Sequence, residues 1–175
     1  GAELDIVVYD FNWNSVYERT ADGSFRWETS VERTPIYTTA VTTNRDGQAL
    51  LTWKPAEAGQ YQIVVSGADD AGNPPTPADF VYVSARDAED FVAWPMENND
   101  RIDIVADKQT YKPGETAEIL VPSPYQGTVR ALITEERAGV MNAHVLTMEA
   151  NSELLQIPIT DRHVPNLYVN VILAK

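Results

Sequence analysis

The sequence predicts an all-β protein of two tandem antiparallel β-sandwich domains. Three observations carry this. Short runs rich in Val, Ile, Tyr and Thr recur along all 175 residues, separated by Gly, Pro, Asn and Asp. No window shows apolar residues at i, i+3, i+4 and i+7 between helix caps, so helices are not expected. The charge is uneven: residues 1–100 carry 17 acidic and 6 basic side chains, residues 101–175 carry 9 and 7. That shift marks a compositional boundary near residue 100. The expected units are a first sandwich over 1–86, a packed connector over 87–100 and a second sandwich over 101–175.

The first unit opens with the alternating run Leu4 to Phe11, and Trp13 to Arg19 either continues it or forms the next strand. Ala21-Asp22-Gly23-Ser24 is a hairpin turn centred on Asp-Gly. Strands are then expected at Phe25–Val31 and Ile36–Thr43. A second turn, Asn44-Arg45-Asp46-Gly47, leads into another strand at Ala49–Trp53. Pro55, Gly59 and Tyr61 precede the apolar strand Ile63–Val65. Here the tyrosine is expected to sit at a corner and hydrogen-bond back across it. Pro74, Pro75 and Pro77 deny their segment a regular ladder, and Phe80–Ser84 closes the unit. About seven strands are expected before residue 86. The connector, 87–100, is acidic, yet it carries Phe91, Val92, Trp94, Pro95 and Met96. So many large apolar groups predict a segment packed on one or both domains rather than a free linker.

In the second unit, strands are expected at Ile102–Ala106, Ala117–Pro122, Thr128–Glu136, Val140–Glu149, Glu153–Ile159 and Leu167–Leu173. The first two flank Asp107 to Glu115. Pro113 presets φ for the second position of a type II turn, and Gly114 supplies the positive φ of the third. Tyr111 is expected to pack just before that turn.

Candidate chemistry is sparse. The absence of cysteine excludes thiol catalysis, disulfides, cysteine-type zinc sites and iron–sulfur clusters. Two histidines, His144 and His163, read as ordinary strand and turn residues, and no nucleotide-binding or nucleophile-elbow string is present. The Asp69-Asp70-Ala71-Gly72-Asn73 stretch offers oxygen ligands of the kind calcium takes, but without a loop spacing that closes a site. A solvated turn is the simpler reading. Glu135 and Glu136 are adjacent in a strand, so they point to opposite faces and cannot flank one glycosidic bond. Trp13, Tyr17, Trp27 and Trp53 could form a sugar-stacking platform, although core packing explains them as well. No catalytic residue, cofactor or metal is expected. The formal net charge of −13 argues against nucleic-acid partners. No apolar run is long enough to span a membrane as a helix, and no signal peptide is evident at the start. The isolated chain is expected to be monomeric.

One set of motifs is more particular. Asp107-Lys108-x-x-Tyr111-x-Pro113-Gly114-Glu115-Thr116-Ala117 is followed by Ile119-Leu120-Val121-x-Ser123-Pro124-Tyr125. Then come Ala131-Leu132-Ile133-Thr134-x-Glu136-Arg137-x-Gly139-Val140 and Ile157-Pro158-Ile159-Thr160, with Pro165-Asn166-Leu167-Tyr168-Val169 after them. In this order they resemble a macroglobulin domain of the bacterial α2-macroglobulin family. The first unit is similar to the domain that precedes it there. This rests on Thr42-Thr43-x-x-Asp46-Gly47-x-Ala49, Pro55-x-x-x-Gly59-x-Tyr61 and Asp70-x-Gly72-Asn73, which many bacterial Ig-like modules share.

The resemblance implies macroglobulin sandwiches of fibronectin or Ig-like type. It also implies a parent that traps proteases after cleavage of a bait segment, in many members with a Cys-Gly-x-Gln thioester. With no cysteine and no long featureless stretch, this chain is expected to be a scaffold piece without bait or thioester. Its partners would be neighbouring macroglobulin domains of the parent, with proteases as the parent's targets. An extracellular or periplasmic location follows from the family, with or without a membrane anchor on the parent. The motif residues Asp107, Lys108, Tyr111, Pro113, Gly114, Glu115, Ser123, Pro124, Glu136, Arg137, Pro165 and Asn166 would then be structural. A tandem Ig-like module for adhesion or carbohydrate binding is the alternative.

Overall fold

The computed structural model describes residues 1–68, 77–84, 91–98 and 101–175. All its sheets are antiparallel, and the described residues hold no α-helix. The expected all-β class is therefore what the chain adopts.

Residues 1–84 form one four-stranded sheet of order β2-β1-β3-β4. Its strands are β1 (Glu3–Arg19), β2 (Phe25–Thr42), β3 (Gly59–Gly67) and β4 (Ala78–Val83). Four strands thus replace the seven expected among the described residues, for two reasons. First, Trp13–Arg19 continues the opening strand, and Phe25–Val31 and Ile36–Thr43 are one strand rather than two. The ladder steps from Val8 opposite Tyr37 to Tyr9 opposite Pro35, so Ile36 bulges out. A bulge on an edge strand lets the chain pass a proline, which cannot donate to a ladder. Second, Ala49–Trp53 is not a strand. After the Asn44–Gly47 turn the Asn44 amide bonds the Gln48 carbonyl, and the chain then leaves the sheet. The outer edge of β2 carries no strand partner among the described residues. Leu50 is left 92% exposed.

The expected turns and tyrosine corner of this unit are present, whereas its described residues form one sheet in place of the expected two-sheet sandwich. Gly23 and Gly47 take φ of 87° and 75° in their turns. The Tyr61 hydroxyl donates to the Glu57 carbonyl at 2.9 Å, and Trp53 meets the Tyr61 ring edge-on at 5.1 Å. The tyrosine thus pins the irregular 48–58 stretch to β3. Ile6 and Val8 lie on the same sheet face as their register partners Val65 and Ile63, and both are buried. β1 pairs β3 only over Leu4–Phe11, whereas it pairs β2 along its whole length. Residues 12–19 and 25–32 therefore project as a two-stranded arm.

Residues 101–175 form two three-stranded sheets, β5-β6-β9 and β10-β7-β8. These are β5 (Val105–Ala106), β6 (Thr116–Pro122), β7 (Val129–Glu136), β8 (Val140–Met148), β9 (Ser152–Pro158) and β10 (Tyr168–Ala174). Each expected strand appears within a residue or two, except that the first shrinks to Val105–Ala106. Period-2 alternation explains the packing. Ala117, Ile119 and Val121 of β6 meet Ala131 and Ile133 of β7 and Leu155 and Ile157 of β9, with Met148 closing one end. Val169, Val171 and Leu173 of β10 pack against that core half-buried.

Candidate functional site

Among the described residues, polar side chains gather into defined geometry at several places, and two of these tie distant elements together. The first is the hairpin between β5 and β6. Gly114 has φ +95°, and the Glu115 amide bonds the Lys112 carbonyl at 3.0 Å. This is the turn that Pro113-Gly114 predicts. The polar motif residues close on it. The Tyr111 hydroxyl donates to Asp107 Oδ1 at 2.6 Å and accepts the Lys108 amide at 3.0 Å. The same Asp107 oxygen accepts the Glu118 amide at 2.9 Å. Glu115 accepts the Lys112 amide at 2.6 Å and pairs with Lys108 Nζ at 3.1 Å.

The Tyr111 hydroxyl, and then the Glu118 amide, hold the Asp107 carboxyl below its usual range. The Lys112 amide, and then Lys108, do the same for Glu115. Partial burial of Tyr111 and its bond to Asp107 push the phenol up. Both carboxylates are therefore ionised at neutral pH and engaged in that form. The turn is tied into the sandwich through Gly114 and Ile159: the Gly114 amide bonds the Ile159 carbonyl, and the Ile159 amide bonds the Glu115 carbonyl, each at 2.8 Å.

The remaining motif residues are scattered. Ser123 is fully buried, its amide bonded to the Asn151 carbonyl at 2.9 Å, and its hydroxyl accepts the Tyr125 amide at 3.2 Å. Pro124 lines a groove of about 440 Å³ between the units. Glu136 accepts the Thr134 hydroxyl at 2.7 Å, while Arg137 donates to the Arg162 carbonyl at 2.8 Å. Pro165 follows a cis peptide bond, and Pro165 and Asn166 line the open end of the sandwich near Tyr111. Glu135 and Glu136 take different partners, since Glu135 accepts Asn142 Nδ2 at 2.9 Å and lies 3.8 Å from His163 Nε2.

Of the four aromatic residues expected as a sugar-stacking alternative, only Tyr17 and Trp27 touch each other. Tyr17 packs with Phe25 and Trp27 near the tip of the arm. Trp13 Nε1 instead donates to Gln60 at 2.7 Å, and Trp53 sits against Tyr61. The Asp69–Asn73 stretch lies outside the described residues. Among those described, no group of three or more His, Asp or Glu side chains could hold a metal ion.

The second place is the strap of residues 91–98, which reads from sequence only as a packed connector. Val92 and Trp94 are indeed buried, in a cluster with Leu120 that Ala58, Tyr82, Val105 and Ala150 adjoin. The polar residues that hold the strap carry no sequence signal. Asn151 reads as a plain turn residue, yet it is buried and bonds Val92 and Trp94. Asn98, Ser15 and Thr29 are equally silent. An asparagine bonding a distant backbone leaves no spacing pattern to find.

Comparison with known proteins covers both units. Residues 1–80 match the family model described as bacterial macroglobulin domain 6, and residues 102–175 match the alpha-2-macroglobulin bait region domain. Similar proteins include an alpha-2-macroglobulin homolog of Nostoc sp., 23% identical over all 175 residues. An alpha-2-macroglobulin of Pasteurella multocida is 26% identical over 168 residues. The chain spans 9% and 8% of their lengths. Among solved structures, Salmonella alpha-2-macroglobulin reacted with methylamine aligns with 98% of the chain and 11% of its own, at 16% identity and a TM-score of 0.39.

Proposed function

Because the chain belongs to the bacterial α2-macroglobulin family, we propose that it is a two-unit scaffold piece of a broad-spectrum protease trap. Its work is mechanical: it holds neighbouring macroglobulin domains in the uncleaved arrangement and re-docks with them after the bait is cut. The observation that carries this reading is the Asp107–Ala117 hairpin, whose polar motif side chains spend their hydrogen bonds on the turn itself.

The second unit matches a model named for the bait, and we read it as the folded support beside the bait rather than the cleaved stretch. Its two longest segments outside strands, 107–115 and 159–167, are tied down by the turn network and by bonds at Ile159, Thr160 and Arg162. Proteases are partners of the parent, and the setting is extracellular or periplasmic.

The test is inhibition by the isolated chain. At tenfold molar excess it should leave trypsin activity on a large protein substrate unchanged. Protection of that substrate would show that trapping resides in these residues and would overturn the scaffold reading.

A further inference from the structure

The strap is bonded to the two units in the reverse of chain order. Its first half bonds the second unit. The Val92 amide donates to Asn151 Oδ1 at 3.1 Å, the Val92 carbonyl accepts Asn151 Nδ2 at 2.5 Å, and Trp94 Nε1 donates to the Asn151 carbonyl at 2.9 Å. Its second half bonds the first unit. The Met96 amide donates to Ser15 Oγ at 3.2 Å, and the Met96 carbonyl accepts Thr29 Oγ1 at 2.6 Å. Asn98 Oδ1 accepts the Trp27 amide at 2.6 Å, while Asn98 Nδ2 donates to the Trp27 carbonyl at 2.9 Å. Thus one asparagine at each end pairs with both backbone groups of a single residue, as a β-ladder rung does. The chain leaves the first unit, bonds the second, returns to the arm of the first and only then enters β5.

We propose that residues 92–98 are a two-ended latch that fixes the angle between the units, with Asn151 and Asn98 as its two fastenings. Reverse-order stitching means the units cannot swing apart on a slack linker; one fastening must open first. The fastenings differ in strength. Asn151 is buried beside the Val92–Trp94–Leu120 cluster, whereas Asn98 and its bonds to Trp27 face solvent. Exposed bonds exchange readily with water, while buried ones leave unsatisfied groups when broken. Opening therefore starts at Asn98 and loosens the arm of β1 and β2. The partly buried Met96 bonds to Ser15 and Thr29, and the packing of Ala58 and Tyr82 on the Val92–Trp94–Leu120 cluster, are the contacts that must give way next. This inference stands apart from protease trapping, since it concerns how the two units are joined whatever the parent does.

The chain has no cysteine, so two introduced thiols label uniquely. Spin labels on Arg45→Cys and Ala143→Cys, both exposed and one in each unit, report the inter-unit distance. The otherwise unaltered chain should give one narrow distance distribution. Asn98→Ala, on an exposed side chain, should broaden it at least twofold with an unchanged melting temperature. Asn151→Asp keeps the shape but loses the donor to Val92, and should broaden the distribution and also lower the melting temperature. A distribution that stays narrow in Asn98→Ala, or that is already broad without it, overturns the latch.

Discussion

Ile133→Ala is expected to cost the second unit about 2–5 kcal/mol, the largest effect of any single truncation considered. Ile133 sits on β7, the central strand of its sheet, between Val171 of β10 and His144 of β8. Its side chain is fully buried and faces β6 and β9 across the sandwich. Truncation removes the transfer energy of three carbons and leaves a void that two hydrogen-bonded sheets cannot close by collapsing. The paired Ile133→Val should cost only about 0.5–1.5 kcal/mol, because most of the volume stays. Urea melts followed by far-ultraviolet circular dichroism measure both. Equal, small losses would mean that the core has room to relax and that the two sheets are not close-packed at this layer.

Gly114→Val should destabilise the same unit by about 1–3 kcal/mol through the backbone alone. A Cβ built at Gly114 meets nothing within 4 Å, so steric contact with neighbours plays no part. The cost arises because φ is +95°, where a β-branched residue is strained. The strain falls on a turn that also holds Ile159 through two backbone hydrogen bonds, so it reaches the β9 end of the sandwich. Gly114→Asn should cost less than Gly114→Val, since asparagine tolerates positive φ. An unchanged melting temperature in Gly114→Val would remove the type II turn and the account of the hairpin with it.

The second unit was legible almost strand by strand. Alternation such as Ala117, Ile119, Val121 has a single buried face, and a slip of one residue would turn it to solvent. The Pro113-Gly114 turn was equally readable, because only glycine readily supplies that φ. The Tyr61 corner was readable for a similar local reason.

The first unit was harder. Thr34-Pro35 looks like a strand break, and only the register shows that a bulge at Ile36 absorbs it. Ala49–Trp53 has strand-like composition, yet after the Asn44–Gly47 turn it does not pair with the open edge of β2, and composition alone does not show whether a hairpin is completed. The strap was visible as apolar residues too many for a linker. Its fastenings were not, because Asn98 with Trp27 and Asn151 with Val92 are pairings 71 and 59 residues apart with no periodicity. The polar motif residues were found as a family pattern, and their chemistry became clear only as bonds: Asp107, Lys108, Tyr111 and Glu115 hold a turn.

On the proposed function, this chain supports a bait and is not itself cut. The direct measurement is brief digestion of the full-length parent by a panel of proteases of different specificity, with mass spectrometry locating the first cleavage. Every first cut should fall outside residues 1–175. A first cut within 107–115 or 159–167 would contradict it and make the second unit the bait.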